Sequence, residues 1–426
     1  MAALWTSLLG RSMPQAERHR HGAAADFTLA ARRMARICFL FNHDQLHQLA
    51  HSLPIALELA ASGQHEVVLA TGSERLEQRV RELAGTALER MSLVRLDLRD
   101  GISRFAAGVL ERVVPARKIL LYRDNLDFFR GFDALVVSEK TSLLLKTRYG
   151  LDGLKIIHTR HGAGDRAIGF GKESARFDLV LVSGPKIARR LEAEAGVDPA
   201  RIRIVGYPKF DLFADRRIPN PFPDPSRPIV LYTPHPSPRL SSYYRMGPRV
   251  LAELAASDRY NVIFAPHVML FQRRYTVTIA PPAIERVPSV DPAVEACPHI
   301  LVDRGSPAAT DMSYTNLADI YCGDVSSQIY EFLLRPRPCL HLNAHGVEWQ
   351  GNPDYAHWQT GPVAGPEANI IEALDQAVAS HPPYEARQRE LFADTFSTGA
   401  QSAAIRAAAA VTSFMEENSS FSTKRA

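Results

Sequence analysis

Short apolar runs alternate with helical stretches along most of the chain, and this alternation constrains the fold more than any other feature. In the first half the runs are rich in Val and Ile, and they lie at 35–42, 65–72, 92–98, 132–139, 154–159, 177–184 and 201–208. Between the first two runs, leucines recur at helical spacing until Gly63 closes the segment. Near-continuous apolar strands separated by helices predict a parallel sheet that is buried on both faces.

The same pattern starts again after a proline-rich segment. Residues 216–228 contain five prolines in thirteen positions, which neither a helix nor a central strand tolerates, so we place a domain linker there. Further apolar runs lie at 229–236, 260–267, 299–305, 317–324 and 338–343, with helices expected near 246–257 and 326–334. The sequence therefore predicts an α/β protein with two doubly wound, Rossmann-like domains that face a central cleft.

The length of 426 residues also favours more than one domain. We expect a flexible amino-terminal arm at 1–33, a first domain at 34–215 and a second domain at 229–385. A helical segment at 386–426 is expected to pack back toward the first domain. The arm has a short apolar stretch followed by arginines, which is the wrong order for a secretory signal.

Charge and cysteine content narrow the class of protein. The net charge of +4 is too small to indicate a nucleic-acid partner. No apolar run approaches the ~20 residues that a membrane-spanning helix needs. The four cysteines lack metal-type spacing, which favours reduced thiols and a cytoplasmic protein. The stretch 111–123 mixes basic and apolar residues. It fits either a helix packed in the first domain or a segment that contacts the anionic inner face of the cytoplasmic membrane.

Polar clusters follow five of the predicted strands. They read HTRHGAG at 158–164, GYPKFD at 206–211, YTPHP at 232–236, APH at 265–267 and GDVSSQIYE at 323–331. Each cluster alone also fits an ordinary turn or helix cap. Because ligands of open α/β sheets bind outside the carboxyl ends of the strands, their recurrence at equivalent places predicts a ligand cleft.

The last cluster carries the most chemical information. Ser326 and Ser327 begin a predicted helix, where free backbone N–H groups can bind a phosphate, although serines at this position can also be simple caps. Glu331 could accept hydrogen bonds from a ribose or lie on a solvated helix face. His267 could hold a diphosphate oxygen. No second metal ligand follows His235 or His267 at metal-site spacing, and the chain has no ATPase phosphate loop, so we expect neither a metal nor ATP hydrolysis.

Taken together, these motifs resemble the CDP-glycerol glycerophosphotransferases of teichoic-acid-type synthesis. The resemblance covers roughly residues 150–345 and is most specific in the block CGDVSSQIYEFLLRPRPCL. It implies the two-domain GT-B glycosyltransferase fold and transfer of glycerol phosphate, or a related polyol phosphate, from a CDP-activated donor to a hydroxyl of a lipid or glycan acceptor. No cofactor beyond this nucleotide-activated substrate is implied.

The resemblance also assigns roles to individual residues. His161 would be the general base that takes the acceptor proton, the acceptor oxygen would attack the β-phosphorus with CMP as leaving group, and His267 would stabilise charge on the diphosphate. The donor-binding residues would be Gly206, Lys209, Thr233, His235, Asp324, Ser326, Ser327 and Glu331, and the acceptor-side residues Gly162, Asp165 and Arg166.

Three other readings stay open on the sequence. A GT-B glycosyltransferase that uses a nucleotide-sugar would employ the same phosphate helix, ribose carboxylate and base. An enzyme similar to UDP-N-acetylglucosamine 2-epimerases shares the fold but would need further carboxylates in the cleft. A domain of this fold that only binds a glycan or an envelope protein would need none of the catalytic histidines.

Overall fold

The computed structural model describes residues 34–43, 45–98, 116–279 and 282–422. The predicted arm at 1–33 lies outside these residues, and so does the 111–115 part of the predicted basic stretch. Two parallel sheets organise the described chain. We call each sheet with its helices a lobe.

The sheet of the first lobe has seven described strands in the order β3-β2-β1-β4-β5-β6-β7. The strands are β1 (Arg36–Phe41), β2 (Glu66–Thr71), β3 (Ser92–Arg95), β4 (Ala134–Val137), β5 (Lys155–Thr159), β6 (Leu179–Val182) and β7 (Ile202–Ile204). All neighbours pair in parallel. The order reverses between β1 and β4, which is the place where such sheets bind ligands.

Helices cover both faces of this sheet, as its buried strands require. They are α1 (Leu53–Ser62), α2 (Glu74–Ala84), α3 (Ala116–Asp124), α4 (Leu126–Arg130), α5 (Leu144–Thr147), α6 (Pro185–Ala195) and α7 (Pro208–Phe213). Helix α6 begins at Pro185 and is closed by Gly196 in the left-handed region, which are common start and stop residues of helices.

The second lobe repeats the arrangement with six described strands in the order β12-β9-β8-β13-β14-β15. Its strands are β8 (Ile229–Thr233), β9 (Asn261–Phe264), β12 (Ile300–Val302), β13 (Ile320–Gly323), β14 (Cys339–Leu342) and β15 (Val363–Ala364), and a separate antiparallel hairpin is formed by β10 (Tyr275–Ile279) and β11 (Pro282–Arg286). Its helices are α8 (Tyr243–Ala256), α9 (Pro292–Glu295), α10 (Ser313–Leu317), α11 (Gln328–Phe332) and α12 (Ile370–Ala379). The strand order reverses between β8 and β13.

Short 3₁₀ segments complete the described elements. They are Leu46–His51, Gly85–Arg90, Thr141–Leu143, Ala167–Phe170, Lys172–Arg176, Pro199–Arg201, Pro307–Ala309 and Pro353–Thr360. The first of them follows β1 directly and contributes to the cleft described below.

Two helices close the chain, α13 (Pro382–Thr395) and α14 (Ala403–Ser422). The end of α13 is held on the first lobe, because the Ser183 hydroxyl donates to the Thr395 carbonyl over 2.8 Å. From α14, Ala407, Val411, Phe414 and Met415 are buried in the same apolar core as β1 and α1. The tail thus completes the helical cover of the first sheet.

The prediction of two doubly wound parallel sheets is confirmed, and every predicted strand contains an observed one. Residues 216–228 contain neither helix nor strand and lead into β8. The β10–β11 hairpin and the short β15 were not predicted. No helix within the described ranges is long and apolar enough to cross a membrane.

Candidate functional site

The carboxyl ends of the two sheets face each other across a cleft. From the first lobe, the loop after β5 approaches the start of α11, since a Cβ added to Gly164 would lie 3.1 Å from the Ser327 Cβ. The same loop places the Arg166 guanidinium 3.0 Å from the His235 ring. The loop after β5 of the first lobe therefore meets the loops after β8 and β13 of the second lobe, and the predicted clusters on these loops come together there.

His161 follows β5 and has a defined tautomer. Its Nδ1 lies 2.6 Å from the Ser138 carbonyl oxygen, just after β4. Because a carbonyl oxygen only accepts, the proton must sit on Nδ1, and Nε2 keeps its lone pair. The side chain is open to solvent.

The surroundings of His161 keep it neutral. Enclosure by the cleft walls lowers its pKa, and nearby Arg160, Lys118 and Lys140 lower it further against the opposing effect of the Ser138 hydrogen bond. The result at neutral pH is an uncharged imidazole with a free basic nitrogen.

Gly162 allows the loop to turn directly after this histidine. Its φ of 75° is a left-handed conformation that a side chain would strain. A Cβ added there would also lie 3.7 Å from the Ser327 Oγ. The glycine thus lets the His161 loop come close to the serine pair of the other lobe.

The serine pair divides into two environments. Ser326 is buried, and its Oγ accepts from the Gln328 N–H over 3.3 Å, which is a local capping bond. Ser327 is exposed and caps nothing with its side chain. The helix that follows is shorter than predicted: it covers Gln328–Phe332 rather than about 326–334. Ser327 is therefore the hydroxyl of the pair that is open to a ligand.

His267 of the second lobe has the opposite tautomer to His161. Its Nδ1 accepts from the Met269 N–H over 3.3 Å. A neutral imidazole accepts at one nitrogen only, so this ring carries its proton on Nε2. Burial lowers the pKa of His235 well below its usual range and that of His267 to about 4.

The contact between Arg166 and His235 joins the two lobes. Arg166 Nη1 donates to His235 Nε2 over 3.0 Å. The His235 and His267 rings lie 6.2 Å apart. The Arg166 guanidinium and the His267 N–H thus lie in the same part of the cleft, and donors of this kind suit an anionic oxygen.

Two further histidines border the cleft and were not predicted. His47 and His51 lie on the 3₁₀ segment Leu46–His51, with ring centres 6.2 Å from His267 and 6.5 Å from His161, respectively. Burial lowers the pKa of both rings well below the usual range, and Lys209 adds to the effect. The signal was present in the sequence, because His43, His47 and His51 recur every four residues after the first strand.

This concentration of imidazoles does not form a metal centre. Within the ranges that the structure describes, no three His, Cys, Asp or Glu side chains are arranged to hold a metal ion.

Lys209 and Glu331 lie elsewhere than predicted. The Lys209 Nζ contacts both Glu331 carboxylate oxygens, at 2.7 and 2.8 Å, and the Tyr207 hydroxyl donates to the same carboxylate over 3.1 Å. Lys209 is only 4% exposed and Glu331 5%. The two side chains therefore neutralise each other between the lobes instead of facing the cleft separately, because a buried charge needs a partner.

Asp165 is also a buried connection rather than an open acceptor-side group. Its carboxylate accepts from Lys186 at 2.7 Å, from the Tyr330 hydroxyl at 2.6 Å and from His357 Nδ1 at 2.9 Å. Burial alone would raise its pKa, but the His357 hydrogen bond and the Lys186 charge lower it well below the usual range. Neither Tyr330 nor His357 was predicted, and both belong to the second lobe.

Three predicted donor-binding residues also point away from the open cleft. The Asp324 carboxylate is fully buried and accepts from the backbone N–H groups of His235 and Ser242, and desolvation raises its pKa to about 6. Thr233 is 1% exposed and donates to the Tyr321 hydroxyl. Gly206, with a φ of 92°, lies against the Ser397 carbonyl, which follows α13, and against the Arg406 guanidinium of α14. These residues shape the loops that carry the site.

Comparison with known proteins identifies the architecture. No family model matches the chain, and no curated protein is significantly similar to it in sequence. Among solved structures, the UDP-GlcNAc 2-epimerase from Neisseria meningitidis bound to UDP-GlcNAc has a TM-score of 0.57 and 11% identity over 90% of this chain and 100% of its own. The wall teichoic acid polymerase TagF, in a variant soaked with CDPG, has a TM-score of 0.55 and 12% identity over 90% and 89%.

The glycosyltransferase of kitacinnamycin has a TM-score of 0.52 and 15% identity over 90% of this chain and 99% of its own. At such low identities these matches establish the fold and not the reaction. The two parallel-sheet lobes of this chain form a GT-B architecture, as the sequence predicted.

Proposed function

We propose that the chain is a GT-B transferase that moves glycerol phosphate, or a related polyol phosphate, from a CDP-activated donor to a hydroxyl of a lipid or glycan acceptor. The observation that carries the proposal is the pairing of opposite histidine tautomers across one cleft. The first lobe offers a basic nitrogen on His161, and the second offers an N–H donor on His267. The likeness in fold to TagF, one structure of which was soaked with CDPG, supports the choice of donor.

In the proposed reaction His161 Nε2 takes the proton of the acceptor hydroxyl. The acceptor oxygen then forms a bond to the β-phosphorus of the donor, and the bond from that phosphorus to the bridging oxygen breaks. CMP leaves with the bridging oxygen and its electron pair. A neutral imidazole near the operating pH is suited to the first step.

Charge on the diphosphate would be met by donors that are already in place. The Arg166 guanidinium and the Nε2–H group of His267 both lie near the His235 ring, and the Ser327 hydroxyl lies beside the His161 loop. Phosphoryl transfer gains mainly from positioning and charge stabilisation, so these donors can act without a metal ion.

A donor screen that follows free CMP and free UDP tests the proposal. The purified chain is incubated with CDP-glycerol or UDP-GlcNAc and a lipid or glycan acceptor extract, and binding of CDP and UDP is measured by calorimetry. We expect release of CMP and tighter binding of CDP. Release of UDP together with equal or reversed nucleotide preference would establish the sugar-transfer alternative, with which the glycosyltransferase and epimerase neighbours are compatible. Nucleotide binding without release of either product would indicate that the chain binds nucleotides but does not catalyse transfer.

A further inference from the structure

The β10–β11 hairpin of the second lobe has one face turned away from the protein. Tyr275 is paired with Arg286, and Ile284 lies two residues before Arg286, so these three side chains share a face. Thr276 lies on the opposite face, where its hydroxyl is 2.7 Å from that of Tyr244 on α8. We call the Tyr275, Ile284 and Arg286 side the outer face of the hairpin.

The outer face exposes large apolar side chains. Ile284 is 72% exposed and Tyr275 48%, and Met269, on the loop that leads into the hairpin, is 48% exposed. The sequence between Tyr275 and Ile284 contains no charged residue. Exposed apolar groups clustered on one projecting element indicate a surface that contacts a partner.

Arginines border the same face. An open pocket of about 370 Å³ beside the hairpin is lined by Arg273, Arg274, Arg286 and Arg304. Arg304 pairs with Glu295 and stacks on Phe271. Within the described ranges Arg273 and Arg286 have no ion-pair partner, so their charges are available to an anionic surface.

We propose that the outer face of the hairpin docks the protein on an anionic membrane surface. Lipid phosphates would contact the arginines, while Tyr275 and Ile284 would enter the layer between headgroups and acyl chains. Apolar side chains beside a group of arginines are the combination that binds such an interface, since the apolar groups enter the lipid layer and the arginines attract its phosphates.

The docking surface is connected to the cleft. The Tyr244 hydroxyl that meets Thr276 also donates to the Pro236 carbonyl over 3.3 Å, next to His235. Docking would therefore hold the donors of the second lobe at a fixed place relative to the membrane, where a lipid-linked acceptor would be found.

Vesicle co-sedimentation of the full chain tests the proposal. The vesicles are phosphatidylcholine alone or an equimolar mixture of phosphatidylcholine and phosphatidylglycerol. We expect binding to the mixed vesicles only. Because each arginine near an anionic surface contributes about fivefold in affinity, the triple variant R273A/R274A/R286A should bind about 100-fold more weakly. Ile284→Ser should weaken binding about tenfold through the lost apolar contact.

The matched control removes the same charge elsewhere. Arg81, Arg130 and Arg389 are surface arginines in exposed ion pairs on helices of the first lobe and the closing segment. The variant R81A/R130A/R389A should bind mixed vesicles nearly as well as the wild type.

Equal weakening in both triple variants, retained binding in R273A/R274A/R286A, or absence of binding by the wild type would each overturn the proposal. CDP affinity, measured on the same proteins, reports separately on the cleft, so loss of docking is distinguished from failure of the proposed transfer reaction.

Discussion

The interface between the lobes has an open part and a closed part, and they use similar residues in opposite ways. In the open part, His161, Ser327, Arg166, His235 and His267 border the cleft, with donors and a lone pair free for a ligand. In the closed part, two carboxylates are buried and fully paired, Asp165 by Lys186, Tyr330 and His357, and Glu331 by Lys209 and Tyr207.

The difference shows how burial sorts polar residues between chemistry and stability. A charge in the closed part needs its partner, so removing that partner should destabilise the fold. The His161 and His267 rings in the open part bond only to the backbone, so their removal should affect the ligand alone. The two parts therefore make separable predictions.

His161→Asn should produce the largest effect on activity. The asparagine Nδ2 can still donate to the Ser138 carbonyl, but no basic nitrogen is left, so turnover should fall by ~10²–10⁴-fold. CDP affinity and melting temperature should stay unchanged, as measured by calorimetry. The matched control is His65→Asn. His65 lies just before β2, at the amino-terminal ends of the strands, whereas the site lies at their carboxyl ends. Full activity in His161→Asn would show that His161 is not the general base.

Lys209→Met should produce the largest effect on stability. It leaves the Glu331 carboxylate buried and uncompensated, which costs about 3–5 kcal/mol in the free energy of unfolding. The double variant Lys209→Met/Glu331→Leu should recover most of this loss. Denaturant unfolding measures both variants. A single variant with wild-type stability but weakened CDP binding would instead make Lys209 a donor ligand, as the sequence had predicted.

His267→Ala should weaken CDP binding without altering stability. A hydrogen bond to a charged group contributes about 1.5–3 kcal/mol, so the dissociation constant should rise about 10- to 100-fold. His267→Gln keeps an N–H donor near the Nε2 position and should remain close to the wild type. Calorimetry distinguishes the two, and equal losses in both variants would contradict the assigned donor role.

The lowered pKa of His267 also predicts that stability depends on pH, and this effect should be smaller than those above. The pKa of His267 falls from 6.5 to about 4 on folding, mainly by burial. Between these values the unfolded chain binds the proton and the folded chain does not, so the wild type should lose stability as the pH falls through this window. His267→Gln lacks this titration and should show a shallower loss. Parallel slopes for the two proteins between pH 6.5 and 4 would contradict the shift.

The fold and the position of the cleft could be predicted from the sequence because both depend on local patterns. Apolar runs separated by helices specify the two sheets, and ligand sites follow strand ends. The state of each side chain could not be predicted in this way. Glu331 and Asp165 were taken as open groups, and only the packing of one lobe on the other shows that Lys209, Tyr330 and His357 reach them. The β10–β11 hairpin escaped prediction because its apolar run is short and contains two prolines.

The path of the chain limits how the cleft can open. The backbone passes between the lobes once at 216–228 and again after α13, where Ser397 donates its backbone N–H to the Ser183 carbonyl. Two attachment points leave rigid bodies a single easy rotation, about the line that joins them. The buried bonds from Asp165 to Tyr330 and His357 would resist such a rotation at the place where Gly164 meets Ser327.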